Sequence, residues 1–204
     1  MKRIDVFLCA RAITLLIPLV LLSPFAGPAA RAADTNVYRI ELLVFRNIGA
    51  QDGGELFRPG VADTLETATD TRNVEWLGPD AYQLGGIAAA MHRSRRYAPL
   101  LHLAWEERVA GRSDARPVAL PDSRARAGGD YVTGTARVGL GRYLHLDLDL
   151  TLHESDVRFT SAGGTPVETA PEYRLQESRR MRSKELHYFD HPLFGVLAII
   201  TPVD

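Results

Sequence analysis

Apolar and polar side chains alternate with a period of two over several stretches of the chain, and that period predicts strands. The clearest stretch is Tyr143 to His153: Leu144, Leu146, Leu148, Leu150 and Leu152 point one way, while Tyr143, His145, Asp147, Asp149, Thr151 and His153 point the other. One face of that strand is core and the other is wet. Tyr131 to Val138 precedes it, and Gly139-Leu140-Gly141-Arg142 joins the two as a hairpin. Val37 to Phe45 opens with apolar residues at its even positions and ends as a continuous apolar run, the pattern of an inner strand. Ala98 to Val109 carries Leu101, Leu103 and Trp105 on alternate positions, and the almost wholly apolar Gly195 to Val203 belongs in a sheet centre. Tyr173 to Tyr188 is a long polar element with Arg180, Arg182 and Lys184 on one face.

The period changes once. Asp80 and Gln83 form a capping-box pair, and Leu84, Ile87, Ala88 and Met91 come after them at the spacing of one buried helical face. Arg93, Arg95 and Arg96 close that helix, at the negative end of its dipole. Loops are expected over 49–60, 110–129 and 160–171, each rich in Gly and Pro. The expected fold is α+β: an antiparallel or mixed sheet of five to six strands with one principal helix on one face.

The first 32 residues read as a cleavable secretory signal. Lys2, Arg3 and Arg11 open it, Ala12 to Ala30 carries no charge, and Ala30-Arg31-Ala32 supplies the small-x-small pattern of a peptidase site. Cleavage is expected after Ala32, with Ala33 as the alternative. Pro18, Pro24, Gly27 and Pro28 break up the apolar run, which argues against a retained membrane anchor. Residues 33–204 are expected to form a single globular domain, exported to the periplasm and without stable membrane insertion.

Composition sharpens this picture in two ways. The 24 basic and 25 acidic side chains nearly cancel; removing Lys2, Arg3, Arg11 and Arg31 against Asp5 leaves 20 and 24, a net charge of −4. A nucleic-acid binder driven by net charge is excluded. The single cysteine, Cys9, leaves with the signal, so a disulfide scaffold is excluded too.

Motifs for chemistry are scarce. The chain has no Gly-x-Ser-x-Gly elbow, no phosphate-cradling Gly-x-x-x-x-Gly-Lys and no Cys nucleophile after processing. Asp147 and Asp149 offer a pair of carboxylates for glycosidase work, but they stand about 7 Å apart on one strand face among basic neighbours. His145, Asp147 and His153, or His187, Asp190 and His191, are the only groupings with metal-ligand chemistry. Neither has a spaced Cys pair or a helical His-Glu-x-x-His beside it, so no metal and no cofactor is expected.

The remaining signal is a mixed-charge strand face. If Tyr143 to His153 and the next polar strand are antiparallel neighbours, Arg180 and Arg182 lie opposite Asp147 and Asp149. Such a ladder is either a solvated set of surface pairs or a face for a partner bearing both carboxylates and amines. The run Glu177 to Ala198, with Arg179-Arg180-Met181-Arg182 and His187-Tyr188-Phe189-Asp190-His191-Pro192, resembles the signature of the CsiV family of gammaproteobacterial periplasmic peptidoglycan-binding proteins. Tyr38 to Phe45, His102 to Trp105, Arg116-Pro117-Val118 and Arg142 to Asp147 agree with it.

That resemblance implies a non-catalytic factor that associates with peptidoglycan and supports cell-wall synthesis, acting with a lipoprotein activator of a class A penicillin-binding protein. It implies no residue-level site. Chemistry alone nominates Arg180 and Arg182 as forks for stem-peptide carboxylates, Tyr188 and His187 as a platform for sugars, and Asp147 for an amine, with Asp149 and His145 on the same face. The alternatives are a protein–protein interaction module without direct polymer binding and, further out, a cell-wall hydrolase.

Overall fold

The computed structural model describes residues 36–49, 71–122, 129–154, 159–160, 166–167 and 172–203. The expected signal segment and Cys9 lie outside these residues, as do most of the loops at 49–60 and 160–171. Ten strands and one helix are described: β1 (Val37–Asn47), α1 (Gly85–His92), β2 (Tyr97–Arg108), β3 (Val118–Ala119), β4 (Tyr131–Leu140), β5 (Leu144–His153), β6 (Phe159–Thr160), β7 (Pro166–Val167), β8 (Glu172–Met181), β9 (Leu186–Asp190) and β10 (Phe194–Pro202). Among the described residues they form two four-stranded antiparallel sheets, ordered β2-β1-β10-β9 and β3-β4-β5-β8, while β6 and β7 pair separately.

The protein is therefore mainly β, and the single sheet expected from the sequence is corrected to two. The reason lies in how much apolar surface needs cover. All five leucines of β5 are buried, in one cluster with Ile40, Leu42 and Val44 of β1 and Val196, Ala198 and Ile200 of β10. One eight-residue helix cannot cover that surface, and a second sheet can. β1 and β10 are central strands, as their continuous apolar runs require. Their other face carries Leu43, Leu197 and Ile199, against which Leu84, Ile87, Ala88 and Met91 of the α1 region pack. The helical face is the expected one.

Its cap is not. Asp80 falls in a short 3-10 turn, Pro79–Ala81, and no side chain caps α1 from within its own segment. Glu41, fully buried on β1, accepts the backbone N–H groups of Gln83 and Leu84 at 2.8 Å each, and His102 Nε2 lies 2.8 Å from the same carboxylate. Burial alone would raise the Glu41 pKa, but the bonds from His102, Leu84 and Gln83 outweigh it and hold the carboxyl below its ordinary value. The first turn is thus anchored to the sheet by a tertiary acceptor.

The polar element expected over Tyr173 to Tyr188 is two strands in different sheets. Lys184 adopts a φ of 64° in the connection, and the backbone N–H of Lys184 bonds to Ile200 O at 2.8 Å. On the inner side of edge strand β8, Glu177 and Arg179 pair at 2.9 Å; Arg179 also reaches the Tyr188 carbonyl and lies 4.8 Å from the Phe189 ring centroid. Inward charge of this kind blunts a sheet edge against further pairing. Elsewhere Arg46 of β1 ties the two sheets together, through Asp130 at 3.1 Å and through Glu154.

Two residues put this packing to the test. Gly134 has a φ of +140°, and a Cβ there would stand 2.1 Å from the Asp149 carbonyl oxygen. Gly134→Ala should cost about 3 kcal/mol in urea unfolding, because backbone meets backbone; an unchanged midpoint would refute the close approach. His191 is buried, and its Nδ1 accepts the Leu193 N–H at 3.2 Å. Desolvation lowers its pKa, with Asp190 opposing. A lowered folded pKa means the unfolded chain takes up the proton first, so this contribution is complete above about pH 6.5 and is lost as the pH falls. Wild type should lose more melting temperature than His191→Asn between about pH 7.5 and pH 5, and parallel curves would remove His191 from the acid response.

Candidate functional site

The polar face of β5 looks outward, as its alternation requires. His145, Asp147, Thr151 and His153 are buried or half-buried by neighbouring strands, and Asp149 sits at the face's centre. Arg137 Nη2 of β4 lies 2.7 Å from Asp147 Oδ2 and Arg137 Nε 2.9 Å from it, while the Ser178 hydroxyl of β8 donates to Asp147 Oδ1. Arg112, from the segment after β2, is 3.7 Å from Asp147 and donates to Ser178 Oγ at 3.2 Å. Arg174 of β8 grips Asp149 with a two-pronged fork at 2.7 and 2.6 Å.

These side chains surround an open depression of about 370 Å³, lined by Arg112, Pro117, Thr135, Arg137, Asp147, Asp149, Gln176 and Ser178 among others. Its wall at Arg112 depends on a bare backbone: a Cβ at Gly139 would stand 3.0 Å from Arg112 Cα. Donors and acceptors alternate across the floor. A polar ligand can exchange bonds most readily with the exposed Arg174–Asp149 pair, because an exposed pair contributes only about 0.2–1 kcal/mol.

The cations named from the sequence are not those partners. In the β5–β8 register Asp147 faces Ser178 and Asp149 faces Gln176, while Arg180 faces His145. Arg182 lies past the end of β8, its guanidinium 3.6 Å from Glu185. His187 and Tyr188 belong to β9 in the other sheet, so they join neither aspartate. His187 Nε2 accepts the Arg182 backbone N–H at 3.2 Å. Tyr188 stacks on Phe45 with ring centroids 6.2 Å apart, above Gly195, and donates to Asp190 at 2.5 Å. Burial and the Asp190 carboxylate push its phenol up to about 12.

Sequence reasoning missed Arg112, Arg137, Arg174 and Ser178. Arg137 had a usable signal, since Thr133, Thr135 and Arg137 share one face of β4 and a short hairpin connection sets Arg137 opposite Asp147. Arg112 had none, because its place depends on a segment laid across the sheet through the Gly111–Leu140 bridge.

The histidines weighed as metal ligands, and set aside, have other partners. His145 Nδ1 is 3.0 Å from the Tyr143 carbonyl; His153 meets Thr133 Oγ1 at 2.8 Å and Glu172 at 3.1 Å, and its ring stacks on Tyr131. Among the described residues no three His, Cys, Asp or Glu side chains converge as a metal site, and no helix is long and apolar enough to cross a membrane.

Asp147 is the hub of this face. Asp147→Asn should lower unfolding free energy by about 1–2 kcal/mol, since a charged acceptor of several bonds is lost, while leaving the far-ultraviolet circular dichroism spectrum intact. A loss as large as that of a core cavity would mean that Asp147 is needed to fold the sheet.

Comparison with curated proteins and with solved structures finds no significant match. A protein-family model does match, over residues 14–203, nearly the whole length of the chain. On that match, the chain with this outward mixed-charge sheet belongs to the CsiV family, described as peptidoglycan-binding proteins.

Proposed function

We propose that this protein is a periplasmic, non-catalytic accessory factor that binds peptidoglycan on the outer face of the β3-β4-β5-β8 sheet. In this reading it supports cell-wall synthesis through a lipoprotein activator of a class A penicillin-binding protein. Family membership supports the polymer as ligand. The observation that carries the location is the open depression around Asp147 and Asp149, lined by guanidiniums, carboxylates, an amide and hydroxyls. Stem peptides bring carboxylates and amines, and glycan brings hydroxyls and amides, so each group there has a counterpart. The two aspartates stand on one strand face and are paired with Arg137 and Arg174, rather than facing each other across a cleft as hydrolase carboxylates do.

A second reading has its own observation. On the outer face of the other sheet, Tyr97 and Tyr188 are exposed on either side of the buried Phe45, and Leu186 is exposed two residues along β9 from Tyr188. An apolar patch of that kind suits a protein partner, with polymer association indirect.

Protein purified after export should pellet saturably with protein-free sacculi, and pelleting should weaken as salt rises. The double charge reversal Arg137→Glu with Arg174→Glu should reduce binding at least tenfold without changing the circular dichroism spectrum. Protein that stays in the supernatant at every salt concentration would exclude direct binding and turn attention to the Tyr97–Tyr188 patch.

A further inference from the structure

One corner of the same sheet face carries two cations that pair with no carboxylate among the described residues. Arg112, Arg137 and Arg174 are each engaged by Asp147 or Asp149. Arg180 is engaged differently. Its guanidinium carbon lies 3.4 Å from the ring centroid of Tyr143, and that of Arg142 lies 5.6 Å from the same ring. Among the described residues no carboxylate forms an ion pair with Arg142 or Arg180. Tyr143, in the β4–β5 connection, is 38% exposed. His145 faces Arg180 across the β5–β8 pairing, and its Nδ1 is turned to the Tyr143 carbonyl.

A guanidinium stacked on an aromatic face is held in orientation by that face while its N–H edge stays open. An open, oriented fork fits a planar, two-oxygen anion better than a point charge does. His145 and Asp147 are successive residues on one strand face, so the corner begins about 7 Å from the depression. A short extended peptide spans both.

We propose that Arg180, stacked on Tyr143, and Arg142, beside the same ring, form an anion subsite that takes a free carboxylate of the stem peptide. The depression around Asp147 holds the rest of the polymer. This rests on the reading of the sheet face as the peptidoglycan surface, and it assigns the carboxylate-reading role to a corner separate from the paired arginines. A phosphate would offer similar oxygens, so the test separates the two sources.

The experiment measures binding of exported wild type, Arg180→Gln, Arg142→Gln and Arg180→Lys to native sacculi. It repeats the measurement on sacculi whose carboxylates have been amidated, and on vesicles of phosphatidylglycerol. The expected result is a loss of about tenfold for Arg180→Gln on native sacculi, with a smaller loss for Arg180→Lys, which keeps charge without the planar fork. On amidated sacculi wild type should fall to the level of Arg180→Gln, and the difference between them should vanish. Unchanged melting temperatures keep folding out of the comparison, and Arg142→Gln provides a second variant outside the strand.

Wild type that pellets while all three variants match it would overturn the subsite and leave the proposed function standing. A difference that persists on amidated sacculi would overturn the carboxylate assignment. Variants that lose vesicle binding but keep full sacculus binding would assign the cations to phosphate and overturn it as well. Wild type that fails to pellet would overturn both readings together.

Discussion

The structure depends on the dry interface between its two sheets, and that interface depends on the leucine row of β5. Leu144, Leu146, Leu148, Leu150 and Leu152 are each 5% exposed or less and share one cluster with Ile40, Leu42 and Val44. Burying a leucine contributes about 1.5–3 kcal/mol, so the row outweighs any surface pair on the opposite face. A register slip of one residue would send all five into water and bring Asp147 and Asp149 into the core. The core therefore dictates where the charges stand.

From that constraint the candidate site acquires its geometry at little energetic cost. Side chains on the wet face of β4, β5 and β8 keep strand spacing, and the ladder holds them in order. The exposed pair of Arg174 with Asp149 is weak enough to exchange with a ligand, while the scaffold beneath stays fixed. Two glycines make room for this arrangement. Gly134 lets β4 approach the Asp149 backbone, and Gly139 lets the Arg112 segment lie against the sheet.

The second sheet is organised by a different device. Its outer face is covered in part by α1, whose first turn is held by the buried Glu41 carboxylate rather than by a local cap. A hydrogen-bonded buried anion of this sort fixes one helix position relative to the sheet. Beyond the helix, Phe45 is buried between Tyr97 and Tyr188, and Gly195 provides the space for two of those rings. One sheet thus presents charge outward and the other presents aromatic surface, although the two share a core.

Much of the secondary structure was legible in the residues themselves. The period of two located β2 and β5 and their buried faces, the hairpin connection placed β4 beside β5, the apolar runs of β1 and β10 foretold central strands, and the spacing of Leu84, Ile87, Ala88 and Met91 marked the covered face of α1. Family membership was also visible: the run from Glu177 to Ala198 resembles that family's signature, and the family model matches over residues 14–203. Tertiary structure decided the rest. Arg180 was recognisable as a cation on the right face, but only the β5–β8 register set it beside His145 and against Tyr143 instead of opposite an aspartate. The break at Lys184 sent His187 and Tyr188 to the other sheet, and the Arg112 segment crossed the face from a distance in sequence. A strand's sequence specifies which side chains share a face, through its two-residue period. Which strands adjoin, and in what register, is settled by the packing of the whole core, and that packing selected the neighbours of Asp147, Asp149 and Arg180.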